Sequence, residues 1–363
     1  VNGRDIINVV METDAELLDE LVVIGYGTRL KGELTGSVSK VDNLVFESRP
    51  LTNTMNALQG ALPGVIVTRG SGKPGRENYS LQIRGASSMS GSKTLVLIDG
   101  IPGDLSLINP NDIADITVLK DAAASIYGAR AADGVVLVTT KKGLIGAPSV
   151  SYSGNFGIKK PQFLKKMANT LQYAEMYDQG MRNVNLPGLS QEIFDKIKAN
   201  AEPDPEGWLI YLENFPGFYG SHVWNDAVFG TGVLHAHNLS ISGGSDNNSY
   251  LFSAGYQMNE GVFKHGDNYS ERYNLRMNYD FKLSNKINIE TRTSFEVEPT
   301  VEPSALGGIL YFVHQQASYV PIYNPLGQFY KYQGGFRNPV QYLEEAGKYN
   351  TNTTRFSTNV RGN

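Results

Sequence analysis

The sequence predicts an antiparallel β-barrel of the membrane-spanning type, preceded by a compact mixed α/β unit. Three observations predict it. Residues 148–363 contain long runs that alternate apolar and polar side chains, residues 92–143 combine short strands with tight turns, and no stretch of 18 apolar residues occurs. A membrane β-strand needs only about 9–11 residues of alternating polarity, so the absence of such a stretch does not argue against a membrane protein.

The unit at 92–143 places turn and cap residues between three β-rich runs. Asn109 is positioned to cap a helix in which Pro110 takes the first position, where its missing N–H costs nothing. Asp121 is predicted to cap a second short helix that Gly128 ends. The β-rich runs are Thr94–Ile98, Ile116–Leu119 and Gly134–Thr140. No obvious catalytic side chain lies in this unit, and Asp99, which precedes Gly100, is predicted to form a turn and not to act as a catalytic acid.

The alternation in 148–363 is clearest at Glu271–Leu283. One face of that run is apolar: Tyr273, Leu275, Met277, Tyr279, Phe281 and Leu283. The other face is polar: Arg272, Asn274, Arg276, Asn278, Asp280 and Lys282. Five similar runs are predicted as strands at Ser149–Ile158, His235–Ser242, Tyr250–Met258, Ile287–Val297 and Thr354–Arg361.

Alternation alone also fits a soluble sandwich with one wet face. Length helps to decide, because soluble strands typically run about 5–6 residues, whereas the runs at Glu271–Leu283 and Ile287–Val297 are longer than that. Aromatic residues near both ends of a run, such as Tyr273 and Phe281, fit the aromatic girdles of a membrane barrel. We therefore predict that the apolar face meets lipid and the charged face meets a watery lumen.

The composition suits a turn-rich, aromatic-rich β protein, with 39 Gly, 20 Tyr and 15 Phe. A net charge of −4 gives no electrostatic argument for nucleic acid as a partner. Because the chain has no cysteine, it can form neither a disulfide framework nor a cysteine metal site.

No catalytic motif is present, and we predict that the protein is not an enzyme and holds no cofactor or metal. The sequence lacks a G-x-S-x-G elbow, a P-loop and an H-E-x-x-H pair. His235 and His237 share one strand face, but a metal site would need three or four converging ligands. A glycosidase that uses two distant carboxylates stays open as a weak alternative.

The segment at 108–136, INPNDIADITVLKDAAASIYGARAADGVV, resembles the plug domain of TonB-dependent outer-membrane transporters of the SusC/RagA family. The segments LQGALPGVIV (58–67) and LQIRGASS (81–88) resemble it too, and the likeness runs from about Leu18 to the last residue. It implies a plug at 35–143, with a helix at Met55–Gln59 and strands at Val65–Thr68 and Ser80–Ile83. Residues 148–363 would be the N-terminal part of the barrel, and 1–17 the end of an N-terminal β domain with an acidic linker.

The implied barrel is of the 22-stranded type. At about 10 residues a strand, 22 strands need roughly 220 residues before any loop is counted. Residues 148–363 number only 216, and about six strand-like runs are found among them. We therefore expect only the first strands of the barrel here, as part of a longer polypeptide.

The run at 18–28 occupies the position of the family's TonB box. An ordinary strand closed by a glycine turn is the alternative. An exposed strand bounded by flexible residues can also add to the edge of a partner's sheet through main-chain hydrogen bonds. The predicted TonB-binding residues are Asp19, Glu20, Leu21, Val22, Val23, Ile24, Gly25 and Tyr26.

Two long loops, at 159–234 and 299–352, are predicted between strands, and in barrels of this type long loops face the cell exterior. Thr170–Arg182 and Ser190–Asn200 are predicted as amphipathic helices capped by their first residues. The loop aromatics could pack on one another or stack on sugar rings. Together with Arg84, which could instead pair with the wall, the candidate substrate-binding residues are Trp208, Tyr211, Phe218, Tyr219, Trp224 and Tyr323.

The resemblance implies TonB-dependent import of oligosaccharides or peptides across the outer membrane of a Gram-negative bacterium. The implied partners are TonB, a SusD-like surface lipoprotein and outer-membrane lipid. A surface β-protein without a transport role, such as an adhesin, is the alternative from another class.

Overall fold

The computed structural model describes residues 21–24, 27–30, 38–43, 53–83, 94–162, 166–201, 219–284, 286–323, 327–330 and 338–362. These residues form a small mixed α/β unit, a six-stranded antiparallel wall and a helical loop domain. A separate two-stranded hairpin precedes them, with β1 at Leu21–Ile24 and β2 at Gly27–Leu30.

The mixed unit, called the plug below, is built on a five-stranded sheet. In spatial order its strands are β3 (Val38–Asp42), β8 (Ile113–Leu119), β9 (Val135–Thr140), β6 (Leu95–Ile98) and β7 (Ile101–Pro102). β6 and β9 run parallel, and the other neighbours are antiparallel. The three predicted β-rich runs are confirmed as strands, whereas β3 and β7 were not predicted.

A helix and a hairpin pack on this sheet. The helix α1 covers Thr54–Leu58, and the hairpin joins β4 (Val65–Arg69) to β5 (Tyr79–Ile83), as predicted to within one or two residues. Leu58 and Ile116 are fully buried in the shared core. Burial of such side chains contributes about 1.5–3 kcal/mol each, so this core holds the hairpin to the sheet.

One predicted cap in the plug is confirmed and one is wrong. The Asn109 side chain accepts a hydrogen bond from the Asn111 N–H at 3.0 Å and starts a short 3-10 helix at Pro110–Asp112. The next 3-10 stretch, Asp121–Ala131, begins at Asp121 itself, so the cap position belongs to Lys120, and Gly128, with φ 71°, interrupts this stretch at the position predicted to end the helix. The Lys120 ammonium points instead to Ser39 Oγ, at 3.1 Å.

The wall is a meander in which each strand pairs antiparallel with the next one along the chain. Its strands have 13 to 17 residues and include all six predicted runs. They are β10 (Gly146–Lys159), β11 (Gly232–Ser245), β12 (Asn248–Glu260), β13 (Tyr269–Ser284), β14 (Ile287–Pro303) and β15 (Lys348–Gly362).

The wall buries its polar face and exposes its apolar face. On β13 the buried residues are Ser270, Arg272, Asn274, Arg276 and Asn278. Leu275, on the opposite face, is 56% exposed, and Phe356 on β15 is 65% exposed. A soluble sandwich would bury the apolar face instead. The strands therefore have the polarity of a membrane barrel, with the plug against their inner face.

Connections differ at the two ends of the wall. At one end β11 joins β12 through residues 246–247, and β13 ends at Ser284 shortly before β14 begins at Ile287. At the other end the chain makes its long excursions after β10 and β14. Membrane barrels place short turns in the periplasm and long loops outside. Among the described residues, no helix combines the length and apolarity needed to cross a bilayer.

The two long loops share one hydrophobic core, and their described parts form what we call the loop domain (166–201, 219–230, 304–323, 327–330 and 338–347). Its helices are α2 (Thr170–Asn183), α3 (Gln191–Lys198), α4 (Trp224–Val228), α5 (Leu306–Gln315) and α6 (Pro339–Glu345). The two predicted helices, α2 and α3, are confirmed. The other three were not predicted.

The predicted cap of α3 is confirmed and that of α2 is wrong. The Ser190 hydroxyl accepts from the Ile193 N–H at 3.4 Å. At α2 the cap is Asn169, which exchanges hydrogen bonds with Gln172 in a capping box. Thr170 lies inside the helix, and its hydroxyl donates to the Gly220 carbonyl at 2.7 Å across the loop domain.

Candidate functional site at the plug–wall interface

The plug touches the wall near the long-loop end through the turn that joins β4 to β5. The Arg76 guanidinium donates to Glu302 Oε1 at 3.2 Å and to Thr351 Oγ1 at 2.9 Å. It also lies 4.7 Å from the ring centroid of Tyr349. Lys73 Nζ is 3.2 Å from the other oxygen of Glu302. Two plug cations thus neutralise one buried wall carboxylate.

Glu77 follows on the same turn and is itself buried against the wall. Its carboxylate accepts from Asn259 Nδ2 at 3.3 Å. Burial raises the pKa of the Glu77 carboxyl above its usual range, while the nearby charge of Arg69 opposes that rise. Ionisation of Glu77 therefore makes the plug–wall interface less stable than it is with the protonated carboxyl.

Arg276 holds the middle of the interface. Its Nε lies 3.2 Å from Asp112 Oδ2, and both side chains are only 5% exposed. Its Nη1 lies 3.7 Å from Asp99 Oδ2. Ser253 donates to the second oxygen of Asp112 at 2.6 Å. One wall guanidinium therefore bridges two plug segments that are distant in sequence.

Asp99 sits in the tight turn between β6 and β7, as predicted for a turn-forming residue. Both Asp99 and Gly100 have positive φ, 49° and 86°, as a type I′ hairpin turn requires. The Asp99 carboxylate accepts from the Thr140 N–H at 3.0 Å and from its hydroxyl at 2.8 Å. From the wall, Asn359 donates to the Asp99 carbonyl at 2.9 Å and Asn278 donates to Thr140 Oγ1 at 2.9 Å.

A cavity of about 580 Å³ lies between the β6–β7 turn of the plug and the inner face of β13, β14 and β15. Charged side chains of both signs line it: Asp99, Asp104, Arg276, Arg292, Glu296 and Arg355. Such a surface holds water and polar solutes rather than apolar ligands. The cavity therefore has a charged lining on both its plug side and its wall side.

The predicted TonB-binding strand is described in part. Leu21–Ile24 form β1, which pairs with β2 so that Leu21 lies opposite Leu30 and Ile24 lies opposite Gly27. Asp19, Glu20, Gly25 and Tyr26 lie outside the described residues. The strand is present, and its binding to TonB stays a prediction.

The predicted substrate residues separate into three groups. Arg84, Trp208, Tyr211 and Phe218 lie outside the described residues. Tyr219 and Trp224 are 4% and 1% exposed in the loop-domain core, and the Trp224 indole donates to the Ala317 carbonyl at 3.3 Å. Tyr323 is 45% exposed, and its ring stacks on Phe329 at 5.1 Å. These positions give Tyr219 and Trp224 a packing role, and substrate contact stays a prediction for all six aromatic residues and Arg84.

The paired histidines lie on the outer face of the wall. His237 Nδ1 is 2.7 Å from the Tyr152 hydroxyl, and the His235 ring lies 5.5 Å from that of His237. In the part of the chain that the structure describes, no group of three or more His, Asp or Glu side chains is arranged to hold a metal ion.

The interface residues that matter most were not predicted as a site. The alternating face of β13 signals that Arg276 points into the lumen, but nothing in the sequence pairs it with Asp112, which lies 164 positions earlier. Short sequence windows carry no information on such distant partners.

Comparison with known proteins agrees with this architecture. The family described as TonB-dependent Receptor Plug Domain matches residues 31–135. The TonB-dependent receptor P26 of Formosa agariphila is 37% identical over 295 residues, which is 80% of this chain and 28% of the receptor. The TonB-dependent receptor SusC of Bacteroides thetaiotaomicron is 37% identical over 272 residues, 71% of this chain and 24% of SusC.

Among solved structures, the RagAB peptide importer in its open–open state matches with a TM-score of 0.77 at 26% identity. That match covers 94% of this chain and 40% of the RagAB chain. A plug packed against the inner face of an outward-apolar strand meander defines a TonB-dependent receptor. The chain belongs to the SusC/RagA family of these receptors, which are not enzymes. It spans less than a third of the curated relatives it matches, 28% of P26 and 24% of SusC.

Proposed function

We propose that the full-length protein imports oligosaccharides or peptides across the outer membrane of a Gram-negative bacterium, with energy supplied through TonB. The observation that carries the proposal is the inverted polarity of the wall: its apolar face is exposed and its polar face is buried against the plug. A polar lumen closed by a folded domain needs an energised step before solute can pass. In this proposal residues 35–143 are the plug and 148–363 the first part of the barrel.

The TonB contact is assigned to residues 18–28. TonB would add a strand to the free edge of β1, since the other edge already pairs with β2. The main-chain hydrogen bonds would transmit the force that TonB exerts. The plug would then separate from the wall first where its contacts with the wall are weakest. Residues 1–17 would belong to a preceding β domain and its acidic linker.

A SusD-like surface lipoprotein is the proposed partner at the long-loop end. The loop domain presents exposed apolar side chains there, including Leu310 at 54% and Tyr311 at 63% exposure. Exposed apolar groups of this size often contribute to protein–protein contacts. A lipoprotein seated on the loop domain would enclose solute above the plug.

The substrate class is proposed as oligosaccharides first, because aromatic loops suit sugar rings. Peptides are the second class, and the likeness to the RagAB peptide importer supports them. Growth of an expressing strain on defined oligosaccharides, and separately on defined oligopeptides, distinguishes the two classes.

The mechanism is tested by blocking the β1 backbone in the full-length protein. Val23→Pro removes a main-chain donor that strand addition needs, whereas Val23→Thr keeps the donor and the β propensity. We expect Val23→Pro and deletion of residues 18–27 to abolish uptake, and Val23→Thr to retain it. Undiminished uptake by the deletion variant would refute the role assigned to this strand. Failure of the wild type to import either class, with no TonB recovered in a pull-down, would favour a surface β-protein without transport.

A further inference from the structure

The loop domain is joined to the wall directly above the residues that hold the plug. Its second segment begins after Pro303 and returns at Lys348, which are cross-strand partners. The Ser304 N–H donates to the Gly347 carbonyl at 3.0 Å and closes this base. The next pair inward is Glu302 with Tyr349. Any displacement of α5 and α6 relative to the wall acts first on these pairs.

Arg76 of the plug contacts both members of that inner pair. It binds Glu302 through one guanidinium nitrogen, covers the Tyr349 ring and binds Thr351 through another nitrogen. A planar guanidinium that engages three groups at once has little freedom to change position without losing one of them. The contacts of Arg76 therefore depend on the relative position of β14 and β15 at the base of the loop domain.

The plug segment that carries Arg76 is itself rigid and tightly fitted. Hydrogen bonds across the turn join the Gly70 N–H to Asn78 O at 3.2 Å and the Ser71 N–H to Glu77 O at 2.9 Å. Gly75 has φ +68°, and a Cβ there would lie 2.8 Å from Ser270 Cβ and Thr300 Oγ1. The turn is closely packed against the wall. A displacement of the wall at this point would therefore also displace β4 and β5, which belong to the plug core.

The loop domain is stiff enough to act as one body. Ile309 and Val313 of α5 are fully buried, and Val340 and Leu343 of α6 are 1% and 2% exposed in the same core. A packed core of this kind moves as a unit instead of deforming gradually.

We infer that Arg76 is a positioning residue that couples the conformation of the loop domain to the β4–β5 hairpin of the plug. This inference rests on the proposed import function, since it gives the route by which events above the plug reach it. Coupling of this kind is reciprocal, so a change in either body alters the stability of the other.

The test is a double-mutant cycle read by hydrogen–deuterium exchange in the full-length protein in detergent, without any ligand. Ile309→Val loosens the loop-domain core mildly, and Arg76→Gln removes the proposed link. We expect Ile309→Val to speed exchange at 70–78 severalfold in the wild-type background and to leave it unchanged in the Arg76→Gln background. A double mutant is required because each single change has its own local effect.

Lys142→Gln is the matched control. Lys142 is also a plug cation paired with a wall carboxylate, Glu290 at 3.5 Å, but at the short-turn end. In that background Ile309→Val should speed exchange at 70–78 as much as in wild type. Equal effects of Ile309→Val with and without Arg76 would overturn the inference, as would no effect at 70–78 in wild type.

The exchange assay does not depend on import. If uptake fails while the cycle shows coupling, the proposed function is wrong and the structural link is real. If uptake succeeds and the cycle is additive, import proceeds without a link through Arg76.

Discussion

Arg276→Met tests whether the buried charge cluster holds the plug in the wall. Methionine keeps most of the side-chain volume but leaves Asp112, which is 5% exposed, without its cation 3.2 Å away. Removing one partner of a buried pair costs about 3–5 kcal/mol, because the remaining charge stays desolvated. The Ser253 hydroxyl still donates to Asp112, so we expect the lower part of that range, about 3 kcal/mol.

Native-state hydrogen exchange of β8 in the full-length protein measures this cost. A loss of about 3 kcal/mol raises the opening equilibrium by roughly two decades. Asp112→Asn in the Arg276→Met background removes the stranded charge and should restore most of the protection. The reasoning is refuted if Arg276→Met changes exchange less than threefold, or if Asp112→Asn gives no recovery in that background.

Three further predictions concern other parts of the molecule. Burial raises the pKa of Glu77, so the folded protein binds the carboxyl proton more tightly than the unfolded chain does. The stability of the plug should therefore fall as the pH rises above 4.5. Chemical denaturation at a series of pH values should show a weaker decline in stability for Glu77→Gln. Leu275→Lys, on the outer face, should cost about 2–4 kcal/mol in bilayers if it lies near the midplane, and folding yield into vesicles measures this cost. Thr293→Lys is a same-face comparison, since Thr293 lies opposite Met277 on the neighbouring strand. Trp224→Ala should cost about 3–5 kcal/mol within the loop domain. Exchange should rise most at α4 and α5, less at 70–78 of the plug and least in β8, and an equal rise throughout the chain would contradict this order.

Local features of the fold could be predicted wherever a short window contains the whole signal. β13 is an example, because alternation along Glu271–Leu283 fixes which side chains share a face. The two-residue turn at Asp99 and Gly100 and the cap at Asn109 are further examples. Each depends on residue types within a few positions of one another.

Features that depend on distant partners could not be predicted. α5 contains Gly307 and Gly308, which disfavour a helix, and its stability comes from burial of Ile309 and Val313 against the other loop. Thr170 looked like a cap because nothing local showed that its hydroxyl would bind Gly220, 50 positions away. The contacts of Arg76 and Arg276 fall in the same class, since the strands and turns that carry them meet only in the folded chain.

The shared core of the two excursions limits how this receptor can diversify. Trp224 from one excursion donates to Ala317 of the other, and Tyr173 packs edge-on to Tyr319 at 5.2 Å. A graft that exchanged only one excursion between relatives would leave half of that core facing mismatched side chains. Swaps intended to change cargo should therefore transfer both excursions together, while the strands beneath them are left untouched.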